Sequence, residues 1–376
     1  MHRGQTALLR LWHALGLTGE VDGQPAWPWA QRLAGESLLQ DMGQARLLVW
    51  GLVAVVAVLA LLAWAVLWRL GRPWLLGGAL AVLLLTPWPS RQVLLVSASP
   101  TSFHRNPLPF SDAALAQGAV QYQRLCLRCH GAAGDGQGQN AAEQPVWPPN
   151  FTGPLLWRRG EGDLLQAVRH GMHDAQGRTT MPGFAQQLPL EDSWALLHFL
   201  RAQAAGQLLR ATGNWAQPVA LPDMALHCHR TDKQRVRDWQ GQRIRLVSTA
   251  RVQDAAPDPR MVTLWLPPTE QDAARIPEHV DCTVTSGATA RQALAWIQGG
   301  GAVNEVQLLA DKAGWLRASN GRGTSSWSDA DLLCRSNDAP PMSSMPAAED
   351  ALTRILRRMD AEPLGYVQGG RVHGGR

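Results

Sequence analysis

The longest unbroken apolar run in the chain lies between Leu47 and Trp68, and no charged residue interrupts it. At a rise of about 1.5 Å per residue the run matches a bilayer core of roughly 30 Å, so it predicts a transmembrane helix. A second run, Pro73 to Pro89, is shorter and bounded by proline. Pro73 suits a first helical turn, and this run predicts either a second span or a helix lying in the interface. Between the two stand Arg69 and Arg72 without an acid, whereas residues 1–45 carry Arg3, Arg10 and Arg32 against Glu20, Asp22, Glu36 and Asp41. Basic residues stay cytoplasmic, so the short turn is expected inside and both tails outside.

Past the membrane the pattern changes twice. Residues 90–111 mix Ser, Asn and three prolines and read as an extended linker. Ser111 and Asp112 are good N-caps for a helix that runs on to Cys126. A shorter helix is expected over Asp163 to His170. Leu190 to Ala205 is apolar at 194, 196, 197, 199 and 200, the spacing of an amphipathic helix entered at Pro189. The stretch between is rich in Gly and Pro, so a domain over 112–206 needs something besides regular elements to fill its core. After Gly213, Gln242 to Arg251, Met261 to Leu266 and Val303 to Leu309 read as strands and Ala288 to Gln298 as a helix. This predicts a small α/β domain over 214–336. A last helix, Glu349 to Arg358, and a glycine-rich tail occupy 337–376, the tail expected to be disordered.

Composition sharpens the membrane reading and little else. Seventeen tryptophans stand against two tyrosines and five phenylalanines, and Trp50, Trp64, Trp68, Trp74 and Trp88 fall in or beside the apolar region, as membrane edges favour. A net charge of +5 is scattered without a basic patch, which argues against a nucleic-acid partner. The opening residues are too polar for a signal peptide, so export of segment 1–44 rests on the membrane region, 45–89. Translocating so long a tail is demanding and points to an upstream portion of the gene missing from the chain.

The chemistry concentrates in CLRCHG, where Cys126 and Cys129 stand directly before His130. In C-x-x-C-H the thiols add across the two vinyl groups of a haem while the histidine takes the iron as axial ligand. A zinc site would want a second ligand pair at coordination distance; a redox dithiol would want a strand before it. Neither context surrounds the motif. A haem carrier commonly takes methionine as its second ligand. His170, Met172, His173 and Met181 are the candidates. Met181 is preferred because Pro182 and Gly183 break helix around it and leave its thioether on an irregular loop.

Residues 113–205 resemble a class I cytochrome c domain: Gly118 and Tyr122 ahead of CLRCHG, then DGQG, PPNFTG, RHGM, MPGF and the closing helix DSWALLHFLR. The resemblance implies an all-α domain carrying one covalent haem c. It implies that Gly118 and Tyr122 cross the last helix at Leu196 and Phe199, and that a carbonyl of Pro148 or Pro149 orients His130. The anchor and linker resemble fusions of a copper-resistance D-type membrane protein with a C-terminal cytochrome, here with one or two helices of that larger membrane domain. The segment after 213 resembles a degenerate thioredoxin-like domain without a C-x-x-C pair. The expectation is therefore a multidomain chain: one or two transmembrane helices, an all-α cytochrome c domain, then a small α/β domain. It would sit in the cytoplasmic membrane of a bacterium, facing the periplasm, and pass single electrons between redox partner proteins rather than convert a substrate. The alternative is a copper-handling membrane protein whose haem serves reduction or sensing. For that reading His227, Cys228 and His229 form a candidate copper or zinc cluster, with His373 a weaker one. In an oxidising compartment one pair among Cys228, Cys282 and Cys334 is expected to be bridged, the sequence leaving open which.

Overall fold

The computed structural model describes residues 2–33, 42–68, 70–90, 95–269, 272, 277, 280–321, 326–334 and 350–364. The chain divides into two compact units that part between Phe103 and His104.

In the first unit, helix α1 (His2–Ala14) precedes a hairpin of β1 (Glu20–Val21) and β2 (Gln24–Pro25). Asp22 and Gly23 turn it with φ of 48° and 71°, the left-handed pair that suits a tight hairpin. Strand β3 (Gln31–Leu33) pairs antiparallel with β4 (Leu95–Ser97), and Leu9, Trp27 and Phe103 form a small core. This corrects the expectation of an extended linker over 90–111. Its backbone finds a partner strand and Phe103 finds Trp27 at 4.5 Å, both long-range contacts that local composition does not report. Residues 91–94 lie outside the described ones.

Helix α2 (Met42–Leu67) spans 26 residues, about 39 Å at 1.5 Å per residue. Among the described residues it is the one helix long and apolar enough to cross a membrane. Its surface is open and apolar, with Trp50 63% and Val66 69% exposed, an arrangement water penalises and hydrocarbon does not. Helix α3 (Arg72–Leu85) has only 14 residues, about 21 Å, short of a bilayer core. Arg72 Nε donates to the Ala65 carbonyl at 2.9 Å, supplying a partner to the open C-terminal end of α2. Arg69, the other cation of the expected cytoplasmic turn, lies outside the described residues.

The second unit begins with helices. They are α4 (Asp112–Gln121), a π-helical turn (Tyr122–Cys126), α5 (Leu127–His130), α6 (Leu155–Arg158) and α7 (Glu161–His170), then a hairpin of β5 (Met172–His173) and β6 (Thr179–Met181), and α8 (Leu190–Thr212). Helix α8 runs seven residues past the expected end at 205, across the expected boundary of the helical part. A six-stranded sheet follows, built from β7 (Leu226–Cys228), β8 (Ile244–Ser248), β9 (Val262–Leu266), β10 (Cys282–Val284), β11 (Val306–Ala310) and β12 (Leu316–Asn320), with α9 (Gly287–Ile297) before β11 and α10 (Ala351–Ala361) at the end. Its order is β12-β11-β8-β9-β10-β7. The β8, β9 and β10 strands are parallel and the outer pairings antiparallel. Strands β9 and β11 are buried almost throughout, Thr263 and Gln307 included, because both their faces are covered. On β11 and β12, Leu309 and Ala318 meet Ile355, Leu356 and Met359 of α10. Arg317, fully buried, faces Asp311 at 3.3 Å and donates to the Cys334 and Glu362 carbonyls, which pins the end of α10. One apolar cluster runs from Leu115 and Leu196 through Ile297 to Leu308, so helices and sheet share a core. The glycine-rich tail, 365–376, lies outside the described residues.

Candidate functional site

The site is built on the crossing of α4 with α8. Ser111 caps α4 by accepting the Ala114 amide at 3.2 Å, as its sequence position predicts. A Cβ on Gly118 would lie 2.7 Å from the Ala195 carbonyl carbon and 2.8 Å from Phe199 Cβ, so only glycine lets the helices come this close. The expected partners were Leu196 and Phe199; the backbone contact falls on Ala195 instead of Leu196, while Phe199 holds, its ring 5.4 Å from Tyr122.

Beyond Gln121 the helix does not continue regularly to Cys126 as expected. It widens into the π turn, which changes the angular position of every residue after it and is a frequent mark of functional sites. The turn delivers Cys126, Cys129 and His130 to α5 together. Cys126 is buried and Cys129 half-buried, and neither is bridged. Burial, reinforced by the neighbouring Cys129, pushes the Cys126 thiol up to about 12. Behind α5 the DGQG loop folds back on the helix end. Amides of Gly136, Gly138 and Asn140 donate to the carbonyls of His130, Cys129 and Arg128 at 3.0, 3.2 and 2.7 Å, partners that the last turn of a helix otherwise lacks.

His130 is 7% exposed and its ring stacks on Phe151 at 4.5 Å and 20°. Burial holds its pKa below the ordinary imidazole value, opposed by the Pro149 backbone. Nδ1 itself makes no hydrogen bond, so the carbonyl contact expected from Pro148 or Pro149 is not formed there. Two further bonds hold the following loop: Tyr122 Oη donates to the Gly131 carbonyl at 2.6 Å and Gln203 Nε2 to the Ala132 carbonyl at 2.7 Å. The Phe151 stack and the Gln203 tether were not legible in sequence, because which distant segments meet the turn is decided by tertiary packing and not by local pattern.

Met181 is half-buried on β6 rather than on an irregular loop, and it pairs across the hairpin with exposed Met172. The two methionines weighed as rivals are therefore neighbours. His170 and His173 are exposed. A Cβ on Gly171 would stand 2.6 Å from the Met181 carbonyl oxygen, and one on Gly183 2.7 Å from that of Arg169. These two glycines press the Met181 segment against the end of α7.

The second candidate cluster comes apart. Cys228 is bridged to Cys282 across β7 and β10, which leaves Cys334 as the buried free thiol of the trio. His227 and His229 remain exposed with ring centroids 5.9 Å apart. Among the described residues no group of three or more His, Cys, Asp or Glu is placed to hold a metal ion; His373 lies outside them.

Residues 113–200 match the family described as cytochrome C oxidase, cbb3-type, subunit III. This segment is a c-type cytochrome domain. A domain of this type implies a haem, and the residues present fit one: two unbridged thiols directly precede a buried imidazole whose Nδ1 is unpartnered. Among solved structures, the reducing HAO-like protein complex of Kuenenia stuttgartiensis is similar at 29% identity, covering 25% of this chain and 45% of that one, with a TM-score of 0.22. The chain thus spans less than half the length of that relative. No curated protein matches the chain.

Proposed function

We propose that the chain is a membrane-anchored monohaem c-type cytochrome, with one haem c bound covalently by Cys126 and Cys129, that carries single electrons between redox partners outside the cytoplasmic membrane of a bacterium. His130 is the proximal ligand and Met181 the distal one. Bound haem supplies a one-electron ferric/ferrous couple. The observation that carries the reading is the shared turn of Cys126, Cys129 and buried His130 within the cytochrome-type segment.

The chain's own residues do the rest. Burial keeps His130 neutral at physiological pH, which preserves the lone pair a metal needs. Phe151 fixes its ring plane and shields one face from water. Tyr122 and Gln203 hold the loop that follows it. The Cys228–Cys282 bridge supports a periplasmic setting for the α/β part, since disulfides persist in oxidising compartments. That part is read as a thioredoxin-like scaffold without thiol chemistry of its own, its paired cysteines joining two strands.

The test is a haem-stained denaturing gel with a reduced-minus-oxidised visible spectrum of membranes. Wild type should carry haem through denaturation and Cys126→Ser should lose most of it; an unstained wild-type band refutes the proposal. Met181→Ala should lose the weak near-infrared ferric band of methionine ligation. If Met172→Ala loses it instead, the distal assignment moves to the hairpin partner.

A further inference from the structure

We infer that Trp296, on α9 of the α/β part, is a positioning residue for the haem-attachment turn, an inference that rests on the haem reading above. The contact chain is continuous. Gly131 directly follows His130, and its carbonyl accepts the Tyr122 hydroxyl at 2.6 Å. The Tyr122 side chain is 2% exposed and has little freedom. Its ring lies 5.4 Å from Phe199, and Phe199 meets Trp296 edge to face at 5.1 Å and 86°, a favoured aromatic geometry.

Trp296 is itself held in place. Helix α8 meets the end of α9 closely: a Cβ on Gly206 would lie 2.6 Å from the amide nitrogen of Gly299, two residues past α9, and one on Gly299 2.5 Å from the Gly206 carbonyl. Trp215 Nε1 adds a bond to the Ile297 carbonyl at 3.2 Å. On α8, positions 199, 203 and 206 follow helical spacing and share a face. One stripe therefore meets Trp296 through Phe199, the haem loop through Gln203 and α9 through Gly206. Interiors this densely packed pass displacement on rather than absorb it. Removing the indole gives Phe199 room, frees Tyr122, and loosens its hydrogen bond to the Gly131 carbonyl, one residue past His130. Such outer contacts orient a ligand and tune the centre it binds.

The experiment uses the full chain with its haem and compares wild type, Trp296→Ala, Trp296→Phe and Trp239→Ala, the last a half-buried tryptophan of the same part that lies under Lys233. The readouts are the haem midpoint potential and hydrogen exchange of the Gly131 and Gly134 amides. Trp296→Ala should displace the midpoint and speed exchange by about tenfold, Trp296→Phe should restore both, and Trp239→Ala should move neither. Unchanged midpoint and exchange in Trp296→Ala overturn the inference, as do equal effects from Trp239→Ala, which would mark general loosening. If Trp296→Ala does not fold, Trp296→Leu takes its place in the same comparison. A wild type without haem removes the underlying reading, and the exchange comparison then decides the coupling alone.

Discussion

Replacing Gly118 by alanine tests the helix crossing on which the site stands. The new Cβ would lie 2.7 Å from the Ala195 carbonyl carbon and 2.8 Å from Phe199 Cβ, where carbon atoms ordinarily rest at about 3.5–4.0 Å. The helices must part by close to an ångström, and because one obstacle is backbone, no rotamer change relieves it. Overpacking of this kind costs about 1–3 kcal/mol, and the backbone obstacle places Gly118 near the top of that range. Alanine returns about 1 kcal/mol of helix propensity. The net loss is about 2 kcal/mol, or roughly 4–8 °C in melting temperature for a unit of this size. Thermal melting of the purified chain in detergent, followed by far-ultraviolet circular dichroism, reads it. The control is Gly153→Ala, whose Cβ meets only the Asn150 carbonyl at 3.9 Å and should melt with wild type. If Gly118→Ala melts at or above the wild-type temperature, α4 and α8 do not cross here and the geometry of the Cys126–His130 turn is wrong.

Two further outcomes follow from buried groups. Burial pushes the Cys334 thiol up to about 12, so at pH 8 roughly one molecule in ten thousand carries the thiolate. Iodoacetamide should leave Cys334 unmodified in the native chain and alkylate it in urea, and native alkylation detected by mass spectrometry would refute its burial. His198 donates through Nε2–H to the Leu108 carbonyl at 3.0 Å, and burial lowers its pKa against that bond. With the folded value below the unfolded one of about 6.5, the unfolded chain binds more protons under pH 6.5, and stability falls as pH drops through that point. Melting at pH 7.5 and 5.5 should show a smaller acid loss in His198→Gln than in wild type; equal losses would mean that His198 titrates normally.

The elements easiest to read were those whose signal is local. Helix α2 follows from an uninterrupted apolar run, α8 from its periodicity, and the Ser111 cap from a hydroxyl ahead of a helical segment. Strands β8 and β9 lie within the expected ones, trimmed at the ends where pairing stops. Elements missed were those stabilised by distant partners. Strand β4 exists because β3 lies beside it, and the π turn opens at Tyr122, which packs on Phe199 and bonds the Gly131 carbonyl. Met181 lies on a strand because Met172 opposes it, a pairing that Pro182 and Gly183 mask in a one-dimensional reading.

The sequence by itself determined the chemistry of the site, because C-x-x-C-H needs only neighbouring residues: two thiols and an imidazole that one helical turn brings together. That Gly118 and Tyr122 cross the last helix came from the resemblance to class I cytochrome c domains, not from the spacing alone. Tertiary structure alone decided which cysteines pair, since only the register of β7 against β10 sets Cys228 opposite Cys282. It alone decided that α8 carries the haem loop on one face and α9 on the same stripe. Those choices depend on which surfaces meet once the chain has collapsed, and burial and register are properties of pairs of segments that neither segment encodes alone.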